Sequence, residues 1–302
     1  MAAQFFRLLG TTLKRFNDDR CFGYSIIISY FALMCAVPLL ALFAWVTSKF
    51  LGSPEIAFRS LNIFTEDFFA KFDPSFFKAL GDVAKNTSSL GLFGIIGSII
   101  AGSFMFGNLI NAINIVFRTK YTRSFFYNRL MENIIMFIIA VILLFSLSIT
   151  AVWAALHRAI KTSALINDYL NPKVLPFIDN FLVQYLIPFM LGFLVLFVLF
   201  KFIPETKVYT RSAVLAAVVG SVLWEIFKRI FVFYVAHFSA VGMVMSKLLQ
   251  GTLTSIIFFL LWISSSLAIL LWCAELAAVV NERIKAGKAA RDAGIAPVAP
   301  AL

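Results

Sequence analysis

The sequence predicts an all-α, polytopic membrane protein with six transmembrane helices and flanking interfacial amphipathic helices. Three observations predict it. Apolar residues make up 61% of the chain and charged residues 14%, whereas a water-soluble domain is nearer half apolar and a quarter charged. Six stretches are each long and apolar enough for a helix to cross the roughly 30 Å of bilayer hydrocarbon. The Lys and Arg residues gather beside the ends of those stretches. The 35 Phe residues agree with this reading, because a soluble domain would struggle to hide so many large rings.

Residues 1–20 form an N-terminal interfacial helix in this reading. Phe5, Leu9, Leu13 and Phe16 share one helical face, with Arg7, Lys14 and Arg15 left to the water side. Residues 21–280 then make the six-helix transmembrane domain. Its first span, about 23–46, is too long for the core of a signal peptide, and Pro38 should kink it. Residues 47–89 mix charge with Phe64, Phe68, Phe72 and Phe76 at four-residue spacing, which reads as an extracytoplasmic amphipathic cap or as a substrate-binding lid. The second span covers about 90–117, where Gly94, Ser98 and Gly102 would let another helix approach closely. Further spans are expected at about 133–156, 181–200 (containing Pro188), 210–235 and 252–279, with 237–251 as the last connection. Residues 281–302 are basic and end in an Ala/Pro-rich run, which predicts a disordered cytoplasmic tail.

Topology follows from counting Lys and Arg. Residues before the first span, in the second and fourth connections and in the tail hold fifteen of the 26, and the other three connections hold nine. That alternation puts both termini in the cytoplasm of a bacterial inner membrane. The net charge of +11 is therefore an orientation signal and needs no nucleic-acid partner. Each group of three spans also opens with a proline-containing helix, a weak hint of an inverted repeat.

The remaining two basic residues, Lys228 and Arg229, fall with Glu225 inside the fifth apolar stretch. A charge facing lipid near the helix centre costs about 2.5–3.5 kcal/mol, so all three are expected to turn toward the bundle interior or a wet cavity. Two readings fit: an ion pair that fixes helix packing, or a polar centre that binds an anionic group or relays protons. Asn108, Asn111 and Asn114 share one broad side of the second span and either line a cavity or bond between helices. Tyr234 and Glu275 are further cavity candidates. Arg118, Lys120, Arg123 and Arg129 form a basic connection suited to anionic lipid headgroups. Cys21, Cys35 and Cys273 lack paired spacing and read as small buried apolar residues. Two histidines cannot build a histidine-rich metal centre, and no cofactor motif or catalytic set is present.

SIIISYFALMCAVPLL, GLFGIIGSIIAGSFMFGNLINAINIVFRTKYTRSFF, LFKFIPETKVYTRSAVLAAVVGSVLWEIFKRIFVFYV and LLWISSSLAILLWCAELAAV, in this order, resemble the YihY/BrkB family of bacterial inner-membrane proteins. The matching positions are Tyr30, Pro38, Pro204, Trp224, Lys228, Phe231, Tyr234, Trp262 and Glu275. Ala216, Gln250 and Cys273 depart from the family pattern. The resemblance implies a transport or envelope role. The expected function is a transporter or export factor for an anionic or amphipathic envelope molecule. The alternative is a non-transporting scaffold or assembly partner using the Gly94, Ser98 and Gly102 face. Some members carry a ribonuclease label, which this sequence does not support, since it lacks a clustered acid or histidine site. The partners implied are membrane lipids and a small anionic or amphipathic substrate, with oligomeric state left open.

Overall fold

A computed structural model describes residues 2–35, 91–119, scattered positions between 127 and 142, 186–249 and 252–292. Among the described residues all regular structure is helical. The helices are α1 (Ala2–Asp18), α2 (Cys21–Cys35), α3 (Gly91–Val116), α4 (Ile187–Phe202), α5 (Thr210–Leu249) and α6 (Thr252–Asp292). Within α3 and α6, Ile99–Val116 and Ile256–Asp292 are long and apolar enough to cross a membrane. The cap at 47–89, Pro38, the connection at 157–180 and residues 293–302 lie outside the described residues.

On α2 and α5 the buried face is rich in small or short side chains. On α2, Cys21, Ser25, Ile28, Ser29 and Cys35 are buried, while Phe22, Ile26, Tyr30 and Met34 stand exposed at four-residue spacing. Ser25 and Ser29 donate to the carbonyls of Phe22 and Ile26, both at 2.7 Å, so their hydroxyls enter the packed side already satisfied. Along α1, Leu8 and Thr12 are buried but Leu13 is 62% exposed. The helix thus presents Leu8 to protein, while Arg7, Leu13 and Lys14 are exposed. The three cysteines are free and buried.

Two helices run past the ends expected for their spans. The last connection is helical, since α5 continues through Leu249 and leaves only residues 250–251 before α6. The chain after Asn281 is also ordered as far as Asp292. KAGKAARD is rich in good helix formers, and a helix already running through the packed 271–279 segment extends at no nucleation cost. Pro188 sits at the first helical turn of α4, where its missing N–H breaks no bond.

The chain divides into two compact units. One comprises Met1–Lys14, Ile113–Glu225 and Trp272–Leu302. Its core joins Leu8, Leu276 and Val279, with Leu215, Val219, Trp272 and Val280 packed against them. α4, α5 and α6 converge at Gly220, where an added Cβ would lie 2.7 Å from Leu196 Cδ1 and 3.3 Å from Cys273 Sγ. The other unit comprises Arg15–Ala112 and Ile226–Leu271. There Phe31 stacks on Phe104 at 6.1 Å. Trp262 stacks on Phe227 at 4.9 Å and meets Phe231 edge-on at 4.8 Å.

Candidate functional site

α5 carries the charges on which the sequence reading centred. Glu225 and Lys228 are half-buried and Arg229 is exposed. The inward expectation therefore differs for Arg229, and helix geometry gives the reason. At 100° per residue Arg229 falls between Val218 and Val222 on the helix circumference, and both are exposed. Glu225 belongs to the first unit, while Lys228 and Arg229 belong to the second. Tyr234 is 40% exposed, with its ring 6.4 Å from that of Phe231. Glu275 is fully buried on α6.

The asparagines of α3 separate. Asn108 donates back to the Phe104 carbonyl of its own helix at 2.8 Å, and Asn111 is exposed. Asn114 is buried and points its Oδ1 at a different segment, accepting the backbone N–H of Glu205 at 3.1 Å. The bond of Asn114 runs to the connection between α4 and α5 and not to another helix.

That bond opens onto a set of contacts that sequence reasoning missed. The segment from Ile203 to Tyr209 joins α4 to α5, and its backbone is held from three sides. Asn281 of α6, 2% exposed, accepts the Tyr209 N–H at 2.9 Å and donates to the Lys207 carbonyl at 3.3 Å. Lys201 donates to the Val208 carbonyl at 2.6 Å and to Thr210 Oγ1 at 3.2 Å. Ser212 Oγ donates to the Tyr209 carbonyl at 2.7 Å, closing the first turn of α5. Lys288 stands 4.5 Å above the Tyr209 ring, a cation–π contact that ties the far end of α6 to the same segment. Conserving buried backbone hydrogen bonds explains the two asparagines, since an amide offers both a donor and an acceptor without charge.

The consequence is a basic rim around this segment. Arg118 ends α3 in a left-handed conformation (φ 52), where Thr119 N–H reaches the Asn114 carbonyl at 3.1 Å. Its side chain is exposed, as are Lys207, Arg211 and Lys288. Of the anionic-lipid candidates, Arg118 is placed here; Lys120, Arg123 and Arg129 lie outside the described residues. The signal that could have found the rim was the KFIPETKVYTR run itself, whose three basic residues flank a proline turn. Among the described residues no group of three or more His, Cys, Asp or Glu is placed to hold a metal ion.

A family model described as "Virulence factor BrkB" matches residues 12–294. Curated relatives named "UPF0761 membrane protein" match along most of the chain. The one from Vibrio campbellii is 24% identical over 272 residues, 90% of this chain and 81% of its own length. The one from Alteromonas mediterranea is 24% identical over 294 residues, 96% of this chain and 92% of its own. The Acinetobacter baylyi relative is 25% identical over 266 residues, covering 88% of this chain but only 60% of that longer protein. No solved structure matches the chain significantly.

Proposed function

The chain belongs to the BrkB virulence factor family, whose relatives are named membrane proteins, and from that premise we propose that it moves an anionic or amphipathic envelope molecule through a polar path inside the membrane. In this reading it has six spans in a bacterial inner membrane, with both termini cytoplasmic. The supporting observation is the half-burial of Glu225 and Lys228 on α5, beside a stripe of exposed Val and Ile residues. A charge at hydrocarbon depth is retained where it meets other polar groups or water, and such positions commonly mark a pathway. Asn108, Asn111, Tyr234 and Glu275 are the further residues proposed to line it. The basic rim at Arg118, Lys207, Arg211 and Lys288 suits the cytoplasmic surface, where it would gather anionic headgroups.

The test uses purified full-length protein in vesicles containing fluorescent phosphatidylglycerol as the probe. Wild-type protein is expected to move the probe between leaflets faster than protein-free vesicles do. Glu225→Gln and the combined Glu225→Leu, Lys228→Ala, Arg229→Ala variant should lose that acceleration while keeping the wild-type elution profile. Unchanged movement in a folded triple variant would reject the polar path. If wild type itself gives no acceleration, the non-transporting scaffold becomes the better reading, and co-purification with another envelope protein would support it.

A further inference from the structure

The exposed face of α5 carries a message that is independent of transport. Val214, Val218, Val222, Ile226, Ile230 and Phe233 stand exposed along it, from 37% at Val214 to 62% at Phe233. The opposite face is made of Ala213, Ala216, Ala217, Gly220 and Ser221, all buried. Small residues are the ones that let helices approach, and here they are already used inside the protein. The branched and aromatic stripe is left facing outward.

Two exposed arginines bracket the first four residues of this stripe, Arg211 before Val214 and Arg229 after Ile226, with Ile230 and Phe233 beyond the second. The arginines are 18 residues apart, five full turns, so they share one angular position on the helix. At 1.5 Å per residue their separation is about 27 Å, close to the roughly 30 Å thickness of bilayer hydrocarbon. Tyr234, one turn beyond Ile230 and exposed, adds an aromatic residue of the kind enriched at membrane interfaces. The same order recurs on α2, where exposed Arg20 precedes the exposed stripe of Phe22, Ile26, Tyr30 and Met34.

The geometry points to Arg211 and Arg229 as a pair of headgroup contacts, each guanidinium engaging phospholipid phosphates in its own leaflet, with Val214, Val218, Val222 and Ile226 between them against acyl chains. Arginine suits this task because its apolar stem lies along the helix while its planar fork reaches the phosphate. Arg229 then marks a membrane boundary, with Lys228 at nearly the same depth, and the polar path of the preceding section narrows to Glu225, about 6 Å further in on the half-buried side. A second copy of the chain is a poorer occupant, since the stripe offers no small residues for close helix approach.

Depth can be measured directly. Bimane is attached to single cysteines at Arg211→Cys, Val222→Cys and Arg229→Cys in full-length protein, reconstituted in phosphatidylcholine/phosphatidylglycerol vesicles. The native cysteines are buried and are replaced by alanine where they label. Quenching is compared between lipids carrying a nitroxide on the headgroup and lipids carrying it at the chain end. Positions 211 and 229 should be quenched more by the headgroup nitroxide, and position 222 more by the chain-end nitroxide. Ile230→Cys keeps both arginines and should behave as position 229 does. Stronger chain-end quenching at both 229 and 230 would overturn the assignment, as would an absence of lipid quenching at all four positions, the result expected for a protein–protein interface. Neither result depends on whether the protein moves a lipid.

Discussion

Asn281 Oδ1 accepts the backbone N–H of Tyr209 at 2.9 Å, and the same side chain returns a hydrogen bond to the Lys207 carbonyl at 3.3 Å. One neutral side chain thus satisfies a donor and an acceptor on a segment with few bonds of its own. Asn281→Ala removes the partner of both backbone groups in a part-buried setting, a loss of about 1–3 kcal/mol. Asn281→Asp should be at least as damaging, because its second oxygen would face the Lys207 carbonyl. Thermal unfolding of the purified protein in detergent checks this, and two variants melting with wild type would show the clamp to be dispensable.

At Gly220 of α5, side chains of α4 and α6 leave no room for a Cβ. Gly220→Ala places a methyl 2.7 Å from Leu196 Cδ1 and 3.3 Å from Cys273 Sγ. The Leu196 methyl can move, but the site is already filled, so overpacking should cost about 1–3 kcal/mol. Leu196→Val combined with Gly220→Ala should recover part of that loss. A double variant as unstable as the sum of the two singles would mean that the contact with Leu196 is not the cause.

Arg118 holds a left-handed backbone that glycine adopts without strain. Arg118→Gly and Arg118→Val both remove the guanidinium, so their difference reports the backbone alone. Glycine should be the more stable by about 1–2 kcal/mol. Both should bind phosphatidylglycerol vesicles more weakly than wild type if Arg118 belongs to the basic rim. Unfolding midpoints and vesicle partitioning are measured on the same preparations.

Trp262 packs against both Phe227 and Phe231, so Trp262→Ala removes a stacked and an edge-on partner together. A loss of about 3 kcal/mol is expected, with Trp262→Phe recovering most of it. The near-ultraviolet circular dichroism of the aromatic cluster should fall in the alanine variant. An unaltered spectrum would argue against a fixed stack.

Much of the fold is legible because membrane helices advertise themselves in composition and period. The α3 and α6 segments follow from unbroken apolar runs, and the α5 stripe from Val214, Val218, Val222 and Ile226 at a constant interval of four. Asn281 is not legible in this way. It serves a segment more than 70 positions earlier, and nothing local distinguishes it from any polar residue at a helix end. Asn114 is half legible: its place beside Asn108 and Asn111 marks a polar side, but burial divides the three. Arg229 misleads because charge at bilayer depth suggests an inward position, whereas its angle on the helix sets it on the outward face. The ordered stretch to Asp292 is hidden by the Ala/Pro-rich run that follows it.

The segment from Ile203 to Tyr209 is fastened by two buried amides and the half-buried Lys201, while Arg118, Lys207 and Arg211 stand at the surface. Added salt screens exposed charges over about 8 Å at physiological ionic strength and leaves buried hydrogen bonds nearly untouched. The shape of this segment is therefore insensitive to the ionic conditions that govern what Arg118, Lys207 and Arg211 attract. A rise in salt should release whatever anions the rim holds without loosening the loop that presents it, so capture and architecture answer to different forces.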